Sequence, residues 1–146
     1  MANFLVDTGV WICLCDERDR AATREEISLI FELIRPHTIV MPWPVAFETL
    51  RTRMVSNKIA SGILERELKS APIEFLDDSR YREDAFQLAL ESSRRGRPLS
   101  MVDCLLRLLM EDRNVKVDFF ATFNDGDFHD VCAAKGIEMF PGSLDF

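Results

Sequence analysis

Four carboxylates from separate parts of the chain, Asp7, Glu48, Asp103 and Asp127, stand where strands end or helices begin. Asp7 follows the apolar run Phe4-Leu5-Val6, and Asn124 and Asp127 follow Phe119-Phe120-Ala121-Thr122. Glu48 and Asp103 lie early in helical stretches. In an open parallel sheet the functional crevice lies beyond the carboxyl ends of the strands, so all four segments can converge there. Clustered carboxylates repel one another until a divalent cation joins them, and oxygen donors without thiolate or imidazole favour Mg²⁺ or Mn²⁺. Such an ion stabilises charge on a phosphate and lowers the pKa of an attacking water, so phosphoester cleavage there needs no catalytic histidine. His37 and His129 are accordingly read as structural or surface residues.

Each acid also has a plainer reading. Asp7 in Asp-Thr-Gly could cap a turn or a helix. Glu48 could pair with Arg51 one turn on, a contact worth only ~0.2–0.5 kcal/mol. Ser100-Met101-Val102-Asp103 resembles a capping box, with Arg107 at i+4 from Asp103. Asn124-Asp125-Gly126-Asp127 has the composition of an ordinary turn. Against the capping box alone stands the greasy setting of Asp103, among Met101, Val102, Leu105, Leu106, Leu108 and Leu109, where a bare carboxylate is costly without a partner.

The elements that must position these acids follow from apolar periodicity. Phe4-Leu5-Val6 is a first strand, with a helix from about Val10. Ile27, Ile30, Phe31 and Ile34 recur on one helix face, which Pro36 ends. Thr38-Ile39-Val40-Met41 is a second strand. Pro42 and Pro44 fit the entry of a helix whose core face carries Trp43, Phe47, Leu50 and Met54, leaving Glu48 off that face. Residues 57–70 form a polar helix, 72–76 a weaker strand, and 79–93 a helix stopped by Gly96 and Pro98. Ser100 opens a helix apolar on nearly every side, which implies deep burial. Residues 119–122 form a strand, 127–135 a last helix and 136–140 a last strand. Strands alternating with helices predict an α/β fold, a mostly parallel central sheet of about five strands with helices on both faces.

The length of 146 residues suits one domain, 1–146, and 47% hydrophobic residues can fill its core without disulfides or a structural metal. Cys13, Cys15, Cys104 and Cys132 have no C-x2-C spacing and are expected as reduced core thiols. The N-terminus lacks the basic start of a signal peptide and no apolar run approaches the ~18 residues of a membrane span, so a cytoplasmic protein without a membrane partner is expected. A net charge of -7 means that contact with a polyanion must be local. Residues 51–97 hold 10 basic and 8 acidic side chains, so the positive charge is segregated there. Arg51, Arg53 and Lys58, with Arg94, Arg95 and Arg97, could guide a nucleic-acid backbone, or form ordinary solvated faces. Trp11 and Trp43 could stack on bases, against a plainer role in the core or a dimer contact.

Taken together, Val6-Asp7-Thr8, Glu48 in Val-Ala-Phe-Glu-Thr-Leu, Ser100-x-x-Asp103 and Thr122-x-Asn124-x-x-Asp127-Phe128 resemble the PIN-domain nucleases. Size and motif spacing are similar to the VapC-type ribonuclease toxins, over residues 4 to about 140. The resemblance implies a PIN-like fold and a Mg²⁺- or Mn²⁺-dependent endoribonuclease. Asp7, Glu48, Asp103 and Asp127 would be its catalytic acids, with Asp7, Asp103 and Asp127 on the metal. Thr8, Ser100, Thr122 and Asn124 would support them. It further implies an RNA substrate, a homodimer and a small antitoxin protein, for which the helices around residues 27–34 and 57–70 are candidate surfaces. Two departures stand out: Gly9 occupies a position where many members carry Ser or Asn, and Asp125 adds an acid, so Asn124, Asp125 and Asp127 all remain open as metal contacts. The competing reading is a catalytically weak or inactive PIN-like RNA-binding or interaction module. An aspartic protease is excluded by the helices despite Asp7-Thr8-Gly9. A haloacid-dehalogenase-like phosphatase would need an acid at Gly9.

Overall fold

A computed structural model describes residues 1–142; the single-domain expectation extends over residues 143–146, which lie outside the described residues. Five strands, β1 (Asn3–Val6), β2 (Thr38–Pro42), β3 (Ile73–Leu76), β4 (Phe119–Ala121) and β5 (Glu138–Phe140), form one parallel sheet in the order β3-β2-β1-β4-β5. The central strands are apolar without alternation because helices cover both faces. Phe4, Leu5 and Val6 are all buried, whereas the edge strand β3 is half open.

Eight α-helices connect the described strands: α1 (Thr8–Cys15), α2 (Arg24–Ile34), α3 (Trp43–Thr49), α4 (Thr52–Val55), α5 (Lys58–Ser70), α6 (Arg82–Arg94), α7 (Met101–Glu111) and α8 (His129–Lys135). α1 packs with α2, α3 and α5, and α7 packs with α6 and α8. Right-handed crossovers put these two groups on opposite faces, since the chain moves one way from β1 to β3 and the other way from β4 to β5. Polar residues set the helix starts. Asp7 caps α1, Thr23 caps α2 through Glu26 N at 3.1 Å, and Asn57 caps α5 through Ala60 N at 3.1 Å. α8 ends at Gly136, whose φ of 66° is open to glycine at little cost. All four cysteines are buried free thiols, and no described helix is long and apolar enough to cross a membrane.

Three local expectations are corrected. The first helix begins at Thr8 rather than about Val10, because the Asp7 carboxylate accepts the Thr8 N–H and starts the turn there. The third helix does not run on to Met54. It ends at Thr49, and Leu50 and Arg51 break it from α4. Its core face is Val45, Ala46 and Thr49, while Trp43, Phe47 and Leu50 are exposed. Periodicity finds an apolar stripe but does not say which stripe meets the sheet, and Trp43 instead leans on Phe75 of the edge strand. Finally, α7 is buried on one side only, through Cys104, Leu105, Leu106, Leu109 and Met110, and Asp103 lies on its partly open side.

Candidate active site

Strand order reverses between β1 and β4, and that switch point is where a parallel sheet opens a crevice. Val6 pairs with Ala121, so the next residues, Asp7 and Thr122, emerge side by side at the carboxyl edge. Thr122, fully buried, donates its hydroxyl to Asp7 Oδ2 at 3.0 Å and accepts the Asn124 N–H at 3.0 Å. Asp7 Oδ1 accepts the Thr8 N–H at 2.8 Å, and the Thr8 hydroxyl donates to Glu48 Oε1 at 2.7 Å. A continuous chain of hydrogen bonds therefore links β1, β4, α1 and α3.

Burial pushes the Asp7 carboxyl up to about 6, against the lowering effect of the Thr122 and Thr8 hydrogen bonds. Asp103 and Glu48 push it further the same way, so all three acids face one region. Asp103 itself is half-buried, less enclosed than its greasy neighbours suggested. Asp103 forms a complete capping box: its Oδ2 accepts the Ser100 N–H at 3.3 Å, and Ser100 Oγ accepts the Asp103 N–H at 3.1 Å. The cap orients the carboxylate through one oxygen, and the charge of Asp103 is felt at Asp7. The plainer reading of Glu48 does not hold, because its partner is Thr8 and not Arg51.

Asp127 stands apart from these three. It follows Thr122 by way of a tight turn, and the Asn124 amide donates to its Oδ2 at 2.6 Å. Arg107, expected beside Asp103, instead reaches across to this turn. Its Nη1 donates to the Asp127 carbonyl at 2.8 Å, and its guanidinium holds both Asp130 oxygens at 2.7 Å. Arg97 adds a bond to the Gly126 carbonyl at 2.7 Å. Two arginines thereby fix the segment carrying Asn124 and Asp127, a role sequence spacing concealed because Asp130 lies 23 residues from Arg107.

The donor set fits a hard divalent cation. Asp7, Asp103 and Glu48 offer oxygen alone, and their mutual repulsion is what a cation would relieve. Among the described residues no three His, Cys, Asp or Glu side chains close into a cage. Mg²⁺ asks for none, being held by one or two carboxylates with water and substrate phosphate around the rest.

Residues 4–134 match the PIN domain family. The chain belongs to that family. No curated protein sequence matches it significantly. PIN domains are generally nucleases, whose substrates are nucleic acids.

The geometry makes two measurable demands. Because Asp7 titrates higher in the folded protein than in the unfolded chain, the native state holds more protons between about pH 4 and 6, and stability falls as pH rises through that window. Asp7→Asn removes this slope. Asp103→Asn keeps a capping oxygen but removes a charge, so carboxyl NMR titration should show Asp7 ionising at a lower pH than in the wild type while burial still holds it above the ordinary carboxylate range; an unchanged Asp7 would mean that Asp103 does not face it. Arg107→Ala, in turn, should cost about 1–2 kcal/mol at neutral pH by chemical denaturation. Arg107 holds the Asp130 carboxyl far below its usual range, so that difference should shrink as pH falls below about 4.

Proposed function

We propose that this PIN domain is a Mg²⁺- or Mn²⁺-dependent endoribonuclease, the toxin of a VapC-type toxin–antitoxin pair working in the cytoplasm. The observation that carries the reading is the desolvated Asp7 at the sheet's switch point, bonded to Thr122 and Thr8 and facing Asp103 and Glu48. Asp7, Asp103 and Asp127 would hold the ion. When bound it supplies a water of lowered pKa and neutralises phosphate charge. Glu48, with one oxygen fixed by Thr8, offers the other to take the proton of the attacking water. Thr8 and Thr122 aim Glu48 and Asp7, Ser100 aims Asp103, and Asn124 aims Asp127. Hydrogen bonds orient Asp7, Glu48 and Asp103 around one region, and Arg107 and Arg97 hold the turn from which Asp127 would join them.

The toxin reading adds a homodimer and a small antitoxin whose tail brings a basic side chain to the acids, relieving the repulsion a metal would otherwise relieve. Purified protein should cleave structured RNA with Mg²⁺ or Mn²⁺, stop in excess chelator, lose about 10²–10⁴-fold in rate on Glu48→Gln, and lose activity on Asp7→Asn with the fold intact. Expression alone should slow growth, and a neighbouring short reading frame should relieve it. Cleavage that persists in chelator contradicts the metal site. Absence of cleavage together with specific RNA binding would establish the inactive binding module instead, and full growth with an active enzyme would replace the toxin role with RNA processing.

A further inference from the structure

The turn that carries Asn124 and Asp127 has no core of its own. Asn124, Asp125 and Gly126 are exposed, Asp127 is half-buried, and the first buried side chain after Thr122 is Phe128. A Cβ at Gly126 would meet nothing within 4 Å. The element that follows is different: Phe128 packs edge-on against Phe120, and Val131 and Cys132 seat α8 in the core. Apolar packing therefore anchors α8 without help, whereas the turn before it depends on polar bonds for its order.

Two guanidiniums supply those bonds from outside the turn. They take successive main-chain carbonyls, Arg97 that of Gly126 at 2.7 Å and Arg107 that of Asp127 at 2.8 Å. Both share Asp130, Arg107 through two bonds of 2.7 Å and Arg97 at 3.7 Å. The Arg107 side chain is 19% exposed and that of Arg97 49%, so Arg107 is the inner of the two. Arg107 also belongs to the helix that carries Asp103. Four residues on, it stands about 6 Å along α7 and about 40° around it, on the same face. The Asp127 carbonyl that it binds is thereby tied to the face of α7 that holds Asp103.

We propose that Arg107 is a positioning residue for the divalent cation: it acts through the main chain of Asp127, fixing that acid to the Asp103 face of α7 so that both serve one ion. This rests on the metal-nuclease reading and adds a residue that an acid cluster by itself does not require. The sign of its effect separates position from charge. A guanidinium near a cation site repels the cation, and its removal also frees the negative charge of Asp130, so charge alone predicts tighter metal binding without Arg107. Loss of position predicts weaker binding. The planar fork matters too, because an ammonium cannot reproduce two bonds to Asp130 together with one to a carbonyl. Arg107→Lys keeps the charge and should still behave like Arg107→Ala.

The test measures the affinity of the full chain for Mn²⁺, from the electron paramagnetic resonance of the free ion. Arg107→Ala and Arg107→Lys should each bind Mn²⁺ about tenfold more weakly than the wild type. Asp127→Ala should weaken binding by itself, and adding Arg107→Ala to it should change little more. Amide exchange at Gly126 and Asp127 should quicken in Arg107→Ala while β1 keeps its wild-type rate. Arg97→Ala should weaken Mn²⁺ binding less but in the same direction, and Arg97 is exposed enough that this variant tests the turn even where Arg107→Ala disturbs α8. Affinity unchanged or raised in Arg107→Ala, wild-type affinity in Arg107→Lys, or an equal further loss on top of Asp127→Ala would overturn the positioning role and leave the metal reading standing. A wild type that binds no Mn²⁺ would overturn the metal reading, and the positioning role with it.

Discussion

Burying the Asp7 carboxylate at the end of β1 costs free energy, and the surrounding elements are placed so as to offset part of that cost. β1 is the middle strand, covered on both faces, so its first polar residue emerges from the driest part of the molecule. Thr122 from β4 and the first turn of α1 supply the two donors that keep the carboxylate solvated by protein. Thr8 then extends the same chain of bonds to Glu48, so α3 is tied to Asp7 as well as held by its own core face.

What the hydrogen bonds do not offset is the repulsion from Asp103 and Glu48, which helps raise the Asp7 pKa. A capping box would be satisfied by Asp103 at any distance from Asp7, yet here the capped carboxylate is near enough to Asp7 to raise its pKa. Local stability and site geometry thus use the same side chain without conflict. An acid cluster of this kind favours a cation or the basic end of a partner, and it disfavours bare phosphate.

Much of this was legible in the residues. Apolar runs without alternation marked β1, β2 and β4, and turn residues bounded them, because a doubly covered sheet writes its pattern locally. The acids at strand ends and helix starts pointed to the switch point for the same reason. What was not legible depended on contacts distant in sequence. The stripe Trp43, Phe47 and Leu50 is as periodic as a core face, and only the placement of β3 beside it turns it outward. Arg107 at i+4 from Asp103 looked like a local pair, but the geometry of α8 brings Asp130 closer. Asp103 looked buried because α7 is rich in apolar residues, and the helix exposes the side on which the site needs it.

If the acids form one cation site, an ion that binds only the folded chain must stabilise it. The direct measurement is thermal unfolding of the wild type and of Asp7→Asn, each in chelator and in Mg²⁺. The account predicts that Asp7→Asn is at least as stable as wild type without metal at neutral pH. Mg²⁺ at a hundredfold excess over its dissociation constant should stabilise the wild type by about 2.7 kcal/mol, and the variant by much less. Equal Mg²⁺ shifts in both proteins, or none in the wild type, would contradict it.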